Sequence, residues 1–582
     1  MTRRTLLLTL AALLGASAAH AETNEELALQ ARGVLKQHCY RCHHGEGSDG
    51  GEFDVLKDAT LTAKPADGEK PYVLAGKPDQ SYLLQRLEKN AMPPKAIRER
   101  PTDADKAIIR KWISAGAPAF PAAESRVAIP QKAALLAMRD HLRRIEPEDR
   151  PFARFFTLTH LHNNPLLPDA DIRVQRAALS KAVNSLSWKP RLVLPKALDQ
   201  AQTVFAVDLR DLDWDRDNLW TEVMKAYPYG LRFDNQPDTD LRDLDREVSE
   251  ATRCEIPYVR GDWFVATATR PPLYHAMLQL PKTAGELEKL LRVDVTDNFR
   301  RDRLARAGFR ASGVSAQNRL VERHEGLHGA YWKSYDFKPK RDRADLAQFP
   351  LGPNFRDNPF EELAFNHDGG EIIFHLPNGL QGYLLVDGKD NRIDQGPEEV
   401  VNDPLKTSGA PAIVNGQSCM ACHSQGTRTF TDQIRDGSGV FGEALRKVKR
   451  LYPEQKAMEA LVKEDQERFM KALEQATGPF LRTEADKNRD LREFQEPVGE
   501  VARLYRLGDL DLTTAGLELD MNPEELKVAI AGNRRLRELG IAPLLQDKGV
   551  VKRQEWESLG ARSLFQRVAL ELGKGSPNRV LK

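Results

Sequence analysis

Cysteine is scarce in this chain, five residues among 582. That is too few for a disulfide-stapled scaffold, and a chain of this length can bury a core large enough to need no staples. An excess of charge of either sign is also missing: 86 Lys and Arg stand against 85 Asp and Glu. A near-neutral balance argues against nucleic acid or another polyanion as a general partner. After the first residues no stretch approaches the ~18 uninterrupted apolar positions of a membrane-spanning helix. Internal repeats and low-complexity tracts are absent as well.

The N-terminus reads as a targeting segment. Thr2, Arg3 and Arg4 precede an apolar stretch from Leu6 to Leu14, and small residues then lead to Ala19-His20-Ala21. This is the pattern of a secretory leader with an A-x-A cleavage site, so residues 1–21 are expected to be removed and the mature chain to start near Glu22. Loss of two arginines and no acid takes the net charge from +1 to about −1. The expected location is the periplasm.

Four of the five cysteines form two pairs, and each pair is followed directly by histidine. Cys39-Tyr40-Arg41-Cys42-His43 and Cys419-Met420-Ala421-Cys422-His423 both read C-x-x-C-H. Two thiols at this spacing reach the two vinyl groups of one porphyrin, and the adjacent imidazole then lies under the iron, which is the attachment signature of a c-type haem. The competing readings are a redox-active disulfide and half of a zinc site. Zinc requires further ligands at matching spacing, and neither motif has a second cysteine pair nearby. Two haem c groups are therefore expected, held by Cys39 and Cys42 and by Cys419 and Cys422, with His43 and His423 as axial ligands.

Helical signals surround the first motif. Thr23 and Glu26 make a capping box before an amphipathic run with Leu27, Leu29, Ala31 and Leu35. Ser81 to Leu87 reads as a second helix, and Thr102 caps a third through Ile108, Ile109 and Trp112 that stops at Gly116. Three helices around a haem are the plan of an all-α cytochrome c fold. With its Gly76-Lys77-Pro78 to Ser81-Tyr82-Leu83 segment and its Met92-Pro93-Pro94, the stretch from about Glu22 to Pro121 resembles the planctomycete-type cytochrome c domain. The resemblance implies that Met92 is the distal iron ligand of the first haem. Two prolines after it favour an extended, rigid loop over a helix. His/Met ligation favours reduced iron and a relatively high potential.

The second motif has no Met-Pro-Pro downstream. Met458 and Met470 lie on a long helical pattern from Pro453 to Ala476 ended by Gly478, and Met521 precedes a helix start in which Asn522 caps and Pro523 opens the first turn. Singly, each reads better as a core methionine. His160, His162, His275, His367 and His375 are further candidates for the distal position, each more simply a packed or hydrogen-bonded histidine.

Between the motifs the pattern changes. Residues 126–188 are mostly helical and charged. Strand signals follow at Thr203–Leu209, Trp263–Thr267 and Glu371–His375, the last leading into a hairpin that turns at Asn378-Gly379 before Gly382–Val386. Thr283 to Glu286 starts an interspersed helix. The stretches Thr157–Leu161, Asp208–Leu212, Tyr331–Asp336 and His367–Glu371 are similar to those of large uncharacterised c-type cytochrome proteins that accompany planctomycete-type haem domains. That similarity covers most of the chain and implies an architecture, with no established reaction attached. His324-Glu325-Gly326-Leu327-His328 matches H-E-x-x-H, the zinc-protease signature, which needs one continuous helix to place both imidazoles on one face. Gly326 and Gly329 each weaken such a helix by about 1 kcal/mol, and no third ligand follows, so a zinc hydrolase ranks low. Cys254 reads as an unpaired thiol.

The expected architecture is multidomain and mainly α with a mixed α+β middle domain. It runs as a leader (1–21), an N-terminal cytochrome c domain (22–125), a helical connecting segment (126–195), the mixed middle domain (196–405) and a second haem-binding region with a helical C-terminal part (406–582). The expected function is electron transfer through two covalently bound haems, with a soluble redox partner protein. Against it stands a peroxidase-like di-haem oxidoreductase with catalysis at the second haem, a reading that the size of the middle domain favours and the long spacing between the motifs does not. The sequence leaves open whether the chain is an enzyme.

Overall fold

A computed structural model describes residues 23–45, 53–63, 71–95, 97, 100–121, 126–312, 314–403, 406, 408–484 and 486–578. The expected leader, residues 1–21, lies outside the described residues. The chain divides into two compact units, Met1–Pro121 and Ala122–Lys582. Helix outweighs strand, 44% against 12%, which makes the protein mainly α. Among the described residues no helix is long and apolar enough to cross a membrane.

The smaller unit is helical. Helix α1 (Asn24–His38) starts at the capping box of Thr23 and Glu26 and buries Leu27, Ala31 and Leu35. Helix α2 (Tyr82–Glu88) follows Ser81, whose hydroxyl accepts from Leu74 N at 2.9 Å and donates to Lys77 O at 3.0 Å. Those two bonds shape the Gly76–Leu83 loop. Helix α3 (Asp103–Ser114) is capped by Thr102 and Asp105, buries Ile109, Trp112 and Ile113, and packs against both α1 and α2. Its end falls at Gly116, where a φ of +96° suits a residue without a Cβ.

The described residues of the larger unit contain two main sheets and a two-stranded pairing of Leu231–Arg232 with Ser576–Pro577. Strands β1 (Ala153–Thr157), β2 (Lys196–Ala197), β3 (Val204–Asp208) and β4 (Tyr258–Arg260) form the first in the order β2-β3-β1-β4, with β1 antiparallel to β3 and parallel to β4. Strands β5 (Ala305–Arg310), β6 (Asn318–Gly326), β7 (Gly329–Asp336), β8 (Gly369–His375) and β9 (Gln381–Asp387) form an antiparallel meander in chain order. Val321 pairs with Ser334, Trp332 with Ile373, and Ile373 with Tyr383. Since side chains alternate along a strand, this register puts Val321, Trp332, Ser334, Glu371, Ile373 and Tyr383 on one face.

Helices cover that face. Helix α4 (Asp169–Ser185), within residues 126–195, packs along the long α7 (Gln455–Leu481), with Ser180 Oγ donating to Ala476 O at 2.6 Å. Helix α5 (Gly261–Ala268) packs against α4 and α8 (Pro497–Leu507). The short helix α6 (Gln417–Cys422) carries the second cysteine pair and lies on α8. Residues from Phe156 to Ala569 share one buried apolar core.

Two expectations are corrected here, and the low-ranked zinc-protease reading finds no helix. Trp263–Thr267, expected as a strand, is helical within α5. Trp263, Phe264, Val265 and Ala266 are all buried, and a run that is apolar on every side has no period to separate helix from strand. Helix α7 continues past Gly478 to Leu481 despite Pro479, because a proline in the last turn removes one hydrogen bond while Ala476, Thr477 and Leu481 stay buried. His324 to His328 is not helical: β6 ends at Gly326, Leu327 and His328 form the turn, and β7 begins at Gly329, paired with Gly326 at a φ of +120°. The two glycines that weaken a helix instead close a two-residue hairpin. With its two histidines on a hairpin, the segment lacks the helix face of a zinc protease, and no group of three metal-binding side chains occurs among the described residues.

Candidate functional site

In the smaller unit, Cys39 follows the last turn of α1 and its N–H donates to Leu35 O at 2.8 Å. The motif continues as a turn in which His43 N–H donates to Cys39 O at 3.0 Å, so the imidazole is set directly beyond the second cysteine. Phe53 lies against the His43 ring, centroids 4.5 Å apart, and stacks in turn on Tyr72 at 4.3 Å. Met92 is half-buried, in the loop four residues beyond the end of α2. Its N–H and that of Ala91 both donate to Arg86 O, and Arg100 braces the loop by donating to Asn90 O at 2.7 Å and Pro94 O at 3.2 Å. The loop bearing the thioether is thus held by backbone bonds to Arg86 O and by the Arg100 guanidinium on either side of Met92.

The second motif is built more deeply into its unit. Gly416 precedes α6 with a φ of +80°, and a Cβ there would lie 2.6 Å from Thr269 O. Gln417 Nε2 donates to Ala266 O of α5 at 2.9 Å. Gly499 lets α8 approach Ala421 so closely that a Cβ would come within 2.6 Å of the alanine methyl. The start of α8 is fixed by Glu496, which accepts from Val498 N and Gly499 N and pairs with the buried Lys181 at 2.6 Å. No disulfide joins any of the five cysteines, and Cys254 is buried, its thiol pushed up by that burial.

Cys419, Cys422 and His423 open onto a cavity of about 370 Å³ between α6 and the β5–β8 face, within the roughly 300–1,000 Å³ of ordinary cofactor pockets. Its walls include Phe309, Val321, Trp332, Ile373, Ile413 and Phe430. His423 Nδ1–H donates to Gly426 O at 3.2 Å, and its ring stacks on Tyr383 with centroids 6.0 Å apart. A backbone partner on Nδ1 leaves Nε2 as the ligating nitrogen, the arrangement that orients metal-bound histidines. Nε2 lies directly against Glu371 of β8, whose Oε2 is 3.4 Å away. Burial raises the Glu371 carboxyl, but His423, a hydrogen bond from the Cys419 thiol and the Arg319 charge together outweigh it and bring the group down to about 2.

At the cavity edge stand Arg310 and Arg428, both exposed and neither with a side-chain hydrogen bond or ion pair among the described residues. The donor set fits a c-type haem: two thiols for the vinyl groups, one oriented imidazole for iron, apolar walls for the ring, and two uncommitted guanidinium groups for anionic propionates. Glu371, Trp332, Arg310 and Arg428 are the residues that reading along the chain did not single out for this site. Glu371 and Trp332 do fall within the quoted stretches His367–Glu371 and Tyr331–Asp336. The two arginines carry no local signal.

The other candidates lie elsewhere. His160 donates to the buried Asp262 at 2.9 Å, and His162 to Val127 O at 3.2 Å. Asn415 donates to His275 at 2.8 Å, Ala330 N donates to His375 at 3.2 Å, and His367 lies edge-on to Tyr335. Met458 and Met470 are buried in the helical core, and Met521 is packed against it.

Comparison with known proteins matches residues 39–96 to the family described as Planctomycete cytochrome C. The N-terminal part of the chain therefore carries a cytochrome c-type domain, whose chemistry is haem-based electron transfer. No curated protein and no solved structure matches the chain.

Proposed function

We propose that this chain is a periplasmic di-haem c-type cytochrome that passes single electrons between a soluble partner protein and two covalently held haems. One haem is attached at Cys39 and Cys42, with His43 and Met92 as axial ligands. The other is attached at Cys419 and Cys422, with His423 as ligand. The observation that carries the second haem is the cavity onto which Cys419, Cys422 and His423 all open, with the His423 ring already oriented by Gly426 O. A C-x-x-C-H serving as a redox disulfide needs no cavity of this size.

A c-type haem supplies a one-electron iron couple. The protein residues then set its surroundings. The His423 Nδ1–H bond holds the imidazole in place through a change of iron charge. Phe309, Trp332 and Phe430 keep water from the porphyrin, and Arg310 and Arg428 at the mouth balance propionate charge.

Haem quantification on the purified, exported chain tests the reading. Two covalent haems per chain are expected, and one after Cys419→Ser together with Cys422→Ser. A single haem in the unaltered chain overturns the proposal.

A further inference from the structure

We infer that the larger unit carries a separate binding cavity, where β1 and β4 end side by side, and that it takes a small hydroxycarboxylate. Its volume is about 160 Å³, below the roughly 300–1,000 Å³ of drug-sized pockets, so its occupant has few atoms. It shares no lining residue with the cavity beside Cys419, Cys422 and His423.

Thr157 at the end of β1 is paired with Arg260 at the end of β4. Past β1 the chain enters a short helix, Thr159–His162, that sets Thr159 and His160 in the same wall. Thr157, Thr159 and His160 are only 5, 8 and 9% exposed. Neither threonine hydroxyl has a hydrogen-bond partner among the described residues. Buried hydroxyls left unmet are costly, and both face a cavity whose occupant can meet them.

His160 is fixed from behind. Its Nε2–H donates to Asp262 at 2.9 Å, and Asp262, which does not line the cavity, accepts in turn from Trp263 N at 2.8 Å. The other ring nitrogen, Nδ1, has no partner among the described residues, and in this tautomer it accepts a hydrogen bond. An occupant that satisfies it brings a hydroxyl.

The rest of the polar wall donates. The hydroxyl oxygens of Tyr227 and Tyr258 accept from Arg260 N and Gln131 Nε2 at 3.0 and 3.1 Å, and their own O–H groups have no acceptor among the described residues. Lys574 donates to a backbone carbonyl, Asp520 O, at 3.2 Å and has no ion pair among the described residues. The two carboxylates of the wall are engaged: Glu518 by Arg260, Arg553 and Trp556, and the exposed Asp520 by Gln131 N at 3.1 Å. Four free hydroxyl donors and an ammonium group call for a carboxylate. Phe233 and Phe565 supply apolar faces for a short carbon skeleton.

Isothermal titration of the full exported chain tests this, with lactate and mandelate each set beside its deoxy acid (propionate, phenylacetate) and its amide, and the haem absorption followed in parallel. At least one hydroxy acid should bind saturably, about tenfold or more tighter than its deoxy acid and its amide, with the haem bands unmoved. No saturable binding of either hydroxy acid overturns the inference, as does equal binding of the deoxy acid or the amide. A band shift that tracks the heat places the carboxylate on iron and overturns it too. His160→Gln should erase the preference for the hydroxyl and keep binding of the deoxy acid. Lys574→Ala, at a half-buried position, should weaken the acids about tenfold. Where His160→Gln does not fold, Lys574→Ala decides, and acid binding unchanged in it overturns the inference.

Discussion

Trp332 of β7 and Asp465 of α7 are joined by a 2.8 Å hydrogen bond from the indole N–H to the carboxylate, both groups buried. The same carboxylate takes two hydrogen bonds from Arg323, at 2.9 and 3.0 Å. One acid on the long helix thus locks two adjacent strands and one wall of the cavity beside Cys419, Cys422 and His423.

Asp465→Ala leaves the buried indole N–H without its partner and the buried Arg323 guanidinium with Glu325 alone. Removing one member of such a pair costs about 3–5 kcal/mol. The urea midpoint of the larger unit should fall accordingly, and Asp465→Asn, which keeps an acceptor, should lose less. A midpoint within error of the unaltered chain counts against the lock.

Gly416→Ala places a methyl 2.6 Å from Thr269 O and 2.8 Å from the Tyr274 ring, at a backbone φ that L-residues disfavour. The start of α6 must shift, and the cysteines with it. Haem content should drop from two toward one per chain, while Gly33→Ala, whose added methyl meets nothing within 4 Å, keeps both.

Met92→Ala should retain covalent haem, since the thioether takes no part in attachment, and lower the midpoint potential of one haem. Thioether ligation stabilises the ferrous state. Redox titration followed in the visible range separates the two haems. A potential that does not move excludes Met92 as ligand.

Burial lowers His367 and His375 from the ordinary 6.5 to about 4. Around His375, Asp465 opposes the shift while Arg468 and Arg323 reinforce it. The unfolded chain therefore binds more protons than the folded one between about 4 and 6.5, so stability is full above the upper value and is lost as pH falls through this window. Each group contributes a slope of about 1.4 kcal/mol per pH unit at most. Urea midpoints taken across the window should fall with acidity, less steeply in His375→Gln.

The chemistry closest to the chain was legible without a structure. Attachment needs two thiols and an imidazole within five consecutive positions, so the expectation at Cys39 to His43 and at Cys419 to His423 is read locally, and the family match covers the first of the two. Helix starts at Thr23, Thr102 and Thr283 and the hairpin turn at Asn378-Gly379 are likewise short-range events, governed by caps and turn residues a few positions apart. Three-dimensional packing decided the rest. Trp263–Thr267 is helical because burial on all sides overrides strand propensity. His324 and His328 flank a hairpin because Gly326 and Gly329 pair with each other. That His423 faces Glu371, and that Arg310 and Arg428 stand at the mouth of the same cavity, depends on strand register and on helices packed from distant parts of the chain. Residue identity at any one position carries no information about such neighbours.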